Sequence, residues 1–196
     1  MGHYFINDNS LKSDIKEFKV KIENQEFVFK TDNGVFSKGE LDFGTKILIE
    51  TILKENLSGN VLDLGCGYGA IGVILSKLRN VYVDMIDINN RAVHLTKLNI
   101  KGNECSCVEV FSSDGFNFVT KKYNYIISNP PIRIGKVKLY ELIKNAREYL
   151  CQDGIIYLVI RKEQGAKSFI KDFSSMYEIN VLNKSKGFYI ISLKCC

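Results

Sequence analysis

The chain has 196 residues, 45% hydrophobic and 25% charged, with a formal net charge of +5. That bounds it to one ordinary globular domain, with room for a small appendage and a sizeable core. No apolar run approaches the ~18 residues of a membrane span. Met1–Asp8 lacks the basic and apolar regions of a signal peptide, and Ile6 breaks a myristoylation signal, so a cytoplasmic protein with no membrane partner is expected.

In chain order, residues 16–22 and 25–30 alternate apolar and polar side chains around Glu23-Asn24, which predicts a β-hairpin. Ile47, Leu48, Thr51 and Ile52 share one face of a helix expected over 43–56. Gly59-Asn60 leads into the first core strand. Strands over 60–64, 81–87, 106–111, 123–128 and 154–160 then alternate with helices near 69–79, 89–101, 136–150 and 165–175. Such alternation predicts a mostly parallel sheet with helices on both faces. The last two apolar runs, 177–182 and 187–193, are joined only by a turn and should pair antiparallel. The expected fold is therefore α/β, with a seven-stranded, mostly parallel sheet, a final antiparallel strand and a small amino-terminal hairpin.

Two motifs carry chemistry. The first, Val61-Leu62-Asp63-Leu64-Gly65-Cys66-Gly67-Tyr68-Gly69-Ala70, reads as a strand, a glycine turn and the start of a helix. Glycines permit positive φ and close approach of a ligand to the backbone. About twenty residues on, a second strand ends in Asp87, well placed to accept from a ribose diol. These parts form a nucleoside-binding βαβ unit. The glycines alone also fit a dinucleotide fingerprint. Asp63 argues against one: a carboxylate facing the turn would repel a pyrophosphate, whereas it suits the ammonium and sulfonium of S-adenosylmethionine. A helix-start carboxylate near the dipole is the plainer account of Asp63.

The second motif is Ser128-Asn129-Pro130-Pro131-Ile132, closing the apolar run Tyr123–Ile127 and holding both prolines of the chain. Adjacent prolines stiffen the backbone and remove two donors. The Asn129 side chain and the Pro130 carbonyl can then face an exocyclic amine, with its two N–H groups to offer. A plain stop after a buried strand is the alternative.

The six cysteines and two histidines show no metal-ligand spacing, so no metal is expected. Cys105 and Cys107 are expected to alternate along a strand and face one side. His94 reads as a surface or packing residue.

Asp63-x-Gly65-x-Gly67-x-Gly69, Asp87 and Asn129-Pro130-Pro131-Ile132 together resemble a class I S-adenosylmethionine-dependent methyltransferase. Within that superfamily the chain is similar to the methyltransferase small domain group, which includes RsmC-like ribosomal RNA guanine-amine methyltransferases and short YbxB-type relatives. Gly34–Thr45, Arg161–Ala166 and Lys186–Tyr189 extend the likeness over most of the chain. The resemblance implies a Rossmann-like methyltransferase domain over 36–196, with residues 1–35 as the hairpin extension. It also implies S-adenosylmethionine as cofactor, held by Asp63, Gly65, Gly67, Gly69, Asp87 and Asp114, with Phe43 and Thr45 closing over its methionine end. Asp114 equally suits a turn-forming Asp-Gly. Where many amine methyltransferases carry an aromatic residue after the prolines, this chain has Ile132, which lacks the π component of base stacking.

The implied reaction is methyl transfer to an exocyclic nitrogen at Asn129, Pro130, Pro131 and Ile132, most specifically to guanine in ribosomal RNA. Arg133, Lys136 and Lys138 follow the motif directly and suit a phosphate backbone. Lys121-Lys122, Arg161-Lys162, Lys184 and Lys186 are expected near the same sheet edge, although all could be ordinary solvated cations. A protein glutamine methyltransferase and a non-catalytic nucleoside- or RNA-binding module are the other readings. The oligomeric state is left open.

Overall fold

A computed structural model describes residues 11–37, 39–131 and 134–196. Its main sheet contains β3 (Gly59–Leu64), β4 (Val81–Asp87), β5 (Val108–Ser112), β6 (Tyr123–Ser128), β7 (Leu150–Arg161), β8 (Tyr177–Ser185) and β9 (Phe188–Cys195). Their order is β5-β4-β3-β6-β7-β9-β8. All pair parallel from β5 to β7; β9 then runs antiparallel between β7 and β8. A separate hairpin joins β1 (Lys16–Ile22) to β2 (Gln25–Thr31).

The strand sequences sort the two cores by alternation. Val61, Val83, Met85, Ile127 and Val159 face one side, where α1 (Phe43–Ile52), α2 (Ala70–Leu78), α3 (Asn90–Gly102) and the hairpin cover them. Leu62, Leu64, Ile86, Ile126 and Leu158 face the other, under α4 (Lys136–Ala146) and α5 (Ala166–Phe173). Ile126 and Ile127 are both fully buried, one in each core, and each such side chain contributes roughly 1.5–3 kcal/mol. Phe27 and Phe29 place the hairpin in the first core, and Asn99 of α3 and Asn103 just past its end hydrogen-bond the β2 backbone.

Three expected segments differ. The helix expected to reach residue 56 stops at Ile52, where the Arg79 guanidinium donates to the Leu53 carbonyl and ends the turn. The helix expected over 136–150 ends at Ala146 and tightens into a 3-10 turn at Arg147–Tyr149, because Leu150 already pairs with Tyr123 in the sheet. Cys105 and Cys107 lie before β5 rather than along it: Glu104 and Cys107 take φ of +52° and +58° to reverse the chain, so the thiols share no strand face.

Strand direction decides where the chemistry sits. The glycine turn, Asp87, Asp114 and Asn129 all follow carboxyl ends of parallel strands, where ligands of open α/β sheets bind. Lys121 and Lys122 precede β6 and so lie at the opposite, amino end. Lys121 is paired there with Asp84 (3.1 Å) and Glu109 (3.4 Å), correcting their expected place on the basic rim. No helix of the described residues is long and apolar enough to cross a membrane.

Candidate active site

A cavity of about 750 Å³ opens at this end of the sheet. Gly65, Gly67, Asp87, Asp114, Asn129, Pro130, Pro131, Thr45 and Lys138 all line it, so one space joins both sequence motifs. Asp63, Gly69, Phe43 and Lys136 are absent from its lining. Ile132 and Arg133 lie outside the described residues.

The glycines divide by task. Gly65 and Gly67 have φ of +74° and +59°, and a Cβ on either would meet no atom within 4 Å. They present bare backbone to open space, a cradle that a side chain would fill. Gly69 starts α2 at φ +87°, and a Cβ there would lie 2.7 Å from Thr96 Cγ2. Its work is internal, since Thr96 Oγ1 donates to the Gly67 carbonyl at 2.9 Å and holds the turn.

Asp87 ends β4 with its carboxylate at the cavity. The Gly67 amide donates to Oδ2 (2.8 Å) and the Asn89 amide to Oδ1 (2.9 Å), fixing it against the glycine turn. Burial raises its pKa, and these amide bonds oppose that shift.

Asp63 departs from its expected place facing the turn. It lies behind the turn, fully buried on the α2 side, where Oδ2 accepts from the Gly72 amide at 3.0 Å. Gly72 is required there, since a Cβ would come within 2.3 Å of Met85 Sδ. Asp63 Oδ1 has no hydrogen-bond partner, and burial pushes the carboxyl up to about 7. A nearby cation would hold such a group ionised.

At the other end of the cavity, Ser128 Oγ donates to the Leu64 carbonyl at 2.7 Å, locking the end of β6 beside β3. The half-buried Asn129 follows. Its Nδ2 donates to Thr45 Oγ1 (2.7 Å) and to Asp42 Oδ2 (3.2 Å). Since a carboxylate only accepts, the amide orientation is chemically determined and Oδ1 is left as an acceptor. Asp42 also caps α1, taking the Thr45 amide on Oδ2 at 2.9 Å. The Asp-x-x-Thr spacing before an apolar helix signals that cap; nothing in it signals Asn129.

The remaining walls come from separate elements. Phe116 stacks on Tyr149, with centroids 4.4 Å apart and planes at 9°, and both face the cavity beside Asp114. The Arg161 guanidinium, at the end of β7, lies 4.4 Å over the Phe188 ring, and Gln164 Oε1 accepts from the Arg161 amide. Phe43 packs on Phe188 at 5.6 Å, with the Lys186 ammonium over its outer face. Phe43 thus supports the wall from behind. Lys136 is engaged with Asp172 (3.2 Å) outside the lining, whereas Lys138 is exposed at the mouth with no carboxylate partner among the described residues.

These residues fit S-adenosylmethionine: bare backbone at Gly65 and Gly67 that a side chain would fill, and an amide-fixed carboxylate at Asp87 on the cavity wall. The Bacillus subtilis protein YbxB, described as uncharacterized, is 38% identical over 196 residues, covering 98% of both chains. Ribosomal RNA small subunit methyltransferase C of Vibrio parahaemolyticus is 33% identical over 186 residues, covering 89% of this chain and 52% of the relative. The chain thus spans about half the length of the ribosomal RNA methyltransferases it matches. In structure it is similar to the Thermus thermophilus 16S rRNA N2 G1207 methyltransferase RsmC in complex with AdoMet and guanosine, with TM-score 0.81 and 21% identity, over 93% of this chain and 51% of that one. The sequence profile of the methyltransferase small domain family matches residues 26–192, and the chain belongs to that family of class I, S-adenosylmethionine-dependent methyltransferases.

Proposed function

We propose that the protein methylates an exocyclic amine of a nucleic-acid base, guanine N2 of ribosomal RNA, in the cytoplasm. One observation carries this reading: the Asn129 amide has both N–H directions engaged by Asp42 and Thr45, so it offers the cavity only an acceptor. That surface suits a group with N–H bonds and disfavours a bare ring nitrogen or a carbonyl oxygen, which would face oxygen with oxygen or lone pair with lone pair.

An exocyclic amine is a weak nucleophile because its lone pair is delocalised into the ring. Asn129 Oδ1 and the Pro130 carbonyl would accept its two N–H bonds and favour a pyramidal nitrogen, turning the lone pair out of conjugation. When bound, S-adenosylmethionine supplies an electrophilic methyl carbon on a sulfonium. Asp87 would hold the ribose, with Gly65 and Gly67 against the methionine portion and Ile88, Asp114 and Phe116 around the adenine. The amine's lone pair would take the methyl group from the cofactor, whose sulfur would keep the electron pair of the broken bond, and the methylated nitrogen would give its extra proton to water. Positioning and fixed dipoles account for the rate, with no strong base required beforehand. A base inside a duplex would have to be flipped out to reach Asn129.

The RNA part of the reading is supported by the ribosomal RNA methyltransferases among the relatives and by exposed Lys138 at the cavity mouth. Mass analysis of RNA nucleosides from cells with and without the gene tests it. Loss of N2-methylguanosine is expected. A missing methyladenosine would move the acceptor to another base, and unchanged RNA with a missing methylated glutamine in protein would overturn the RNA reading.

A further inference from the structure

Resting on the amine-methylation reading above, we propose that Asp42 is a positioning residue for methyl transfer, acting through Asn129 rather than on substrate. A single carboxylate oxygen, Asp42 Oδ2, receives the Thr45 amide (2.9 Å), Thr45 Oγ1 (3.4 Å) and Asn129 Nδ2 (3.2 Å). Thr45 Oγ1 also accepts from Asn129 Nδ2 at 2.7 Å. The charge of Asp42 therefore reaches Asn129 both directly and through the Thr45 hydroxyl.

Two consequences follow. The amide cannot flip, since its oxygen would then meet a carboxylate. Hydrogen bonds from an amide N–H to an anion are strong, and linked bonds polarise one another, so Oδ1 becomes a better acceptor for the target amine. Packing holds the carboxylate in place. A Cβ at Gly44 would stand 3.0 Å from Asp42 Oδ2 and 2.7 Å from the Phe188 ring, so the helix start, the carboxylate and the wall of the cavity leave no slack.

The competing account is that Asp42 only caps α1. Substitutions separate the two. Serine is as good an N-cap as aspartate, but its hydroxyl is too short to reach Asn129 and carries no charge. Asparagine keeps an oxygen for both the cap and Asn129.

The first readout is the Asn129 side-chain NH₂ signal in ¹⁵N-resolved NMR, assigned by its loss in Asn129→Ala. Its hydrogen exchange should quicken at least about tenfold in Asp42→Ser and stay slow in Asp42→Asn. The second is methyl transfer from tritiated S-adenosylmethionine to ribosomal RNA from cells lacking the gene. Asp42→Ser should lower kcat about 30- to 100-fold, at or just below the roughly 100- to 1000-fold cost of losing a preorganised group outright, because Asp42 acts only through Asn129. The RNA KM and the S-adenosylmethionine Kd should each stay within about threefold, with most of kcat restored in Asp42→Asn. Adding Asp42→Ser to Asn129→Ala should change the residual rate by less than about twofold, because the two residues act as one unit. Unchanged Asn129 exchange, unchanged kcat or full additivity would each overturn the role of Asp42. Absence of labelling by the wild-type protein overturns the RNA-amine reading instead, and the exchange measurement still decides whether Asp42 holds Asn129.

Discussion

The two ends of the cavity are built on opposite plans. At the cofactor end, the glycine turn is tied to Asp87 by a bond spanning 20 residues, and Asp87 is tied to Asn89 two residues on. One βαβ unit makes its own site from backbone amides. At the acceptor end, Asn129 is held by Thr45 and Asp42, 84 and 87 residues away, and faces walls from β7, β9 and α4. The cofactor end is set by local conformation. The acceptor end exists only when the sheet has assembled and α1 has docked against it. Substitutions at the first should act on turn geometry and cofactor affinity, and those at the second on chemistry and acceptor choice.

The sharpest break of that contrast is Asn129→Ala. It should lower kcat by about 10³-fold, comparable with losing a principal hydrogen-bonding group of a preorganised site. S-adenosylmethionine affinity, read by calorimetry, should stay within about threefold. Comparable losses in kcat and cofactor affinity would mean that the two ends are one unit.

The next largest effect concerns Asp63 and pH. The carboxyl has an ordinary value of 3.8 and is pushed up to about 7 in the folded protein by burial. Between those values the folded state binds more protons than the unfolded state, so stability is fully present below about pH 4 and is lost as pH rises through 7. The loss is on the order of a few kcal/mol. Urea denaturation from pH 4 to pH 8 should show a downward slope in the wild-type protein that Asp63→Asn largely removes. Parallel stability profiles would remove Asp63 from the titration.

This division also decides what was legible in the sequence. Strand–helix alternation and the glycine turn follow from neighbours in the chain, and the sheet runs as that pattern requires. Asn129 could be recognised from its prolines, but its orientation depends on Asp42, which by sequence shows only as a helix cap. Lys121 and Lys136 read as free cations because their partners, Asp84 and Asp172, are 37 and 36 residues away. Cys105 and Cys107 were misplaced for the opposite reason, an alternating pattern overridden by a chain reversal that needs two left-handed residues. Asp63 reads from the sequence as a carboxylate facing the turn, but its burial on the other side depends on Gly72 and Met85, which the motif does not reveal.

Within the cofactor end, Gly69→Ala and Gly65→Ala sharpen the split between structure and ligand. Both place a side chain at positive φ, costing about 1–2 kcal/mol. Only Gly69→Ala also drives a methyl into Thr96, which holds the Gly67 carbonyl. It should lose about 2–3 kcal/mol of stability in chemical denaturation. Gly65→Ala should lose less stability but more cofactor affinity, since its methyl projects into the open cavity. Equal behaviour of the two variants would erase that division.

The smallest expected effect lies at the acceptor mouth, between two lysines two residues apart in the sequence. Lys136 is ion-paired with Asp172 at 3.2 Å and stands 4.9 Å over the Tyr140 ring, so a phosphate would have to compete with both. Lys138 is exposed at the mouth and has no carboxylate partner among the described residues. A phosphate contact by one lysine contributes about 0.7 to the log–log salt slope on a single strand. Lys138→Ala should therefore weaken binding of a short guanine-containing single-stranded RNA a few-fold at low salt and flatten the slope by up to that amount. Lys136→Ala should leave the slope nearly unchanged. Filter binding between 50 and 200 mM salt separates them. If both variants keep the wild-type slope, the mouth makes no phosphate contact through either lysine, and a protein acceptor moves ahead of RNA for the site that Asn129 defines.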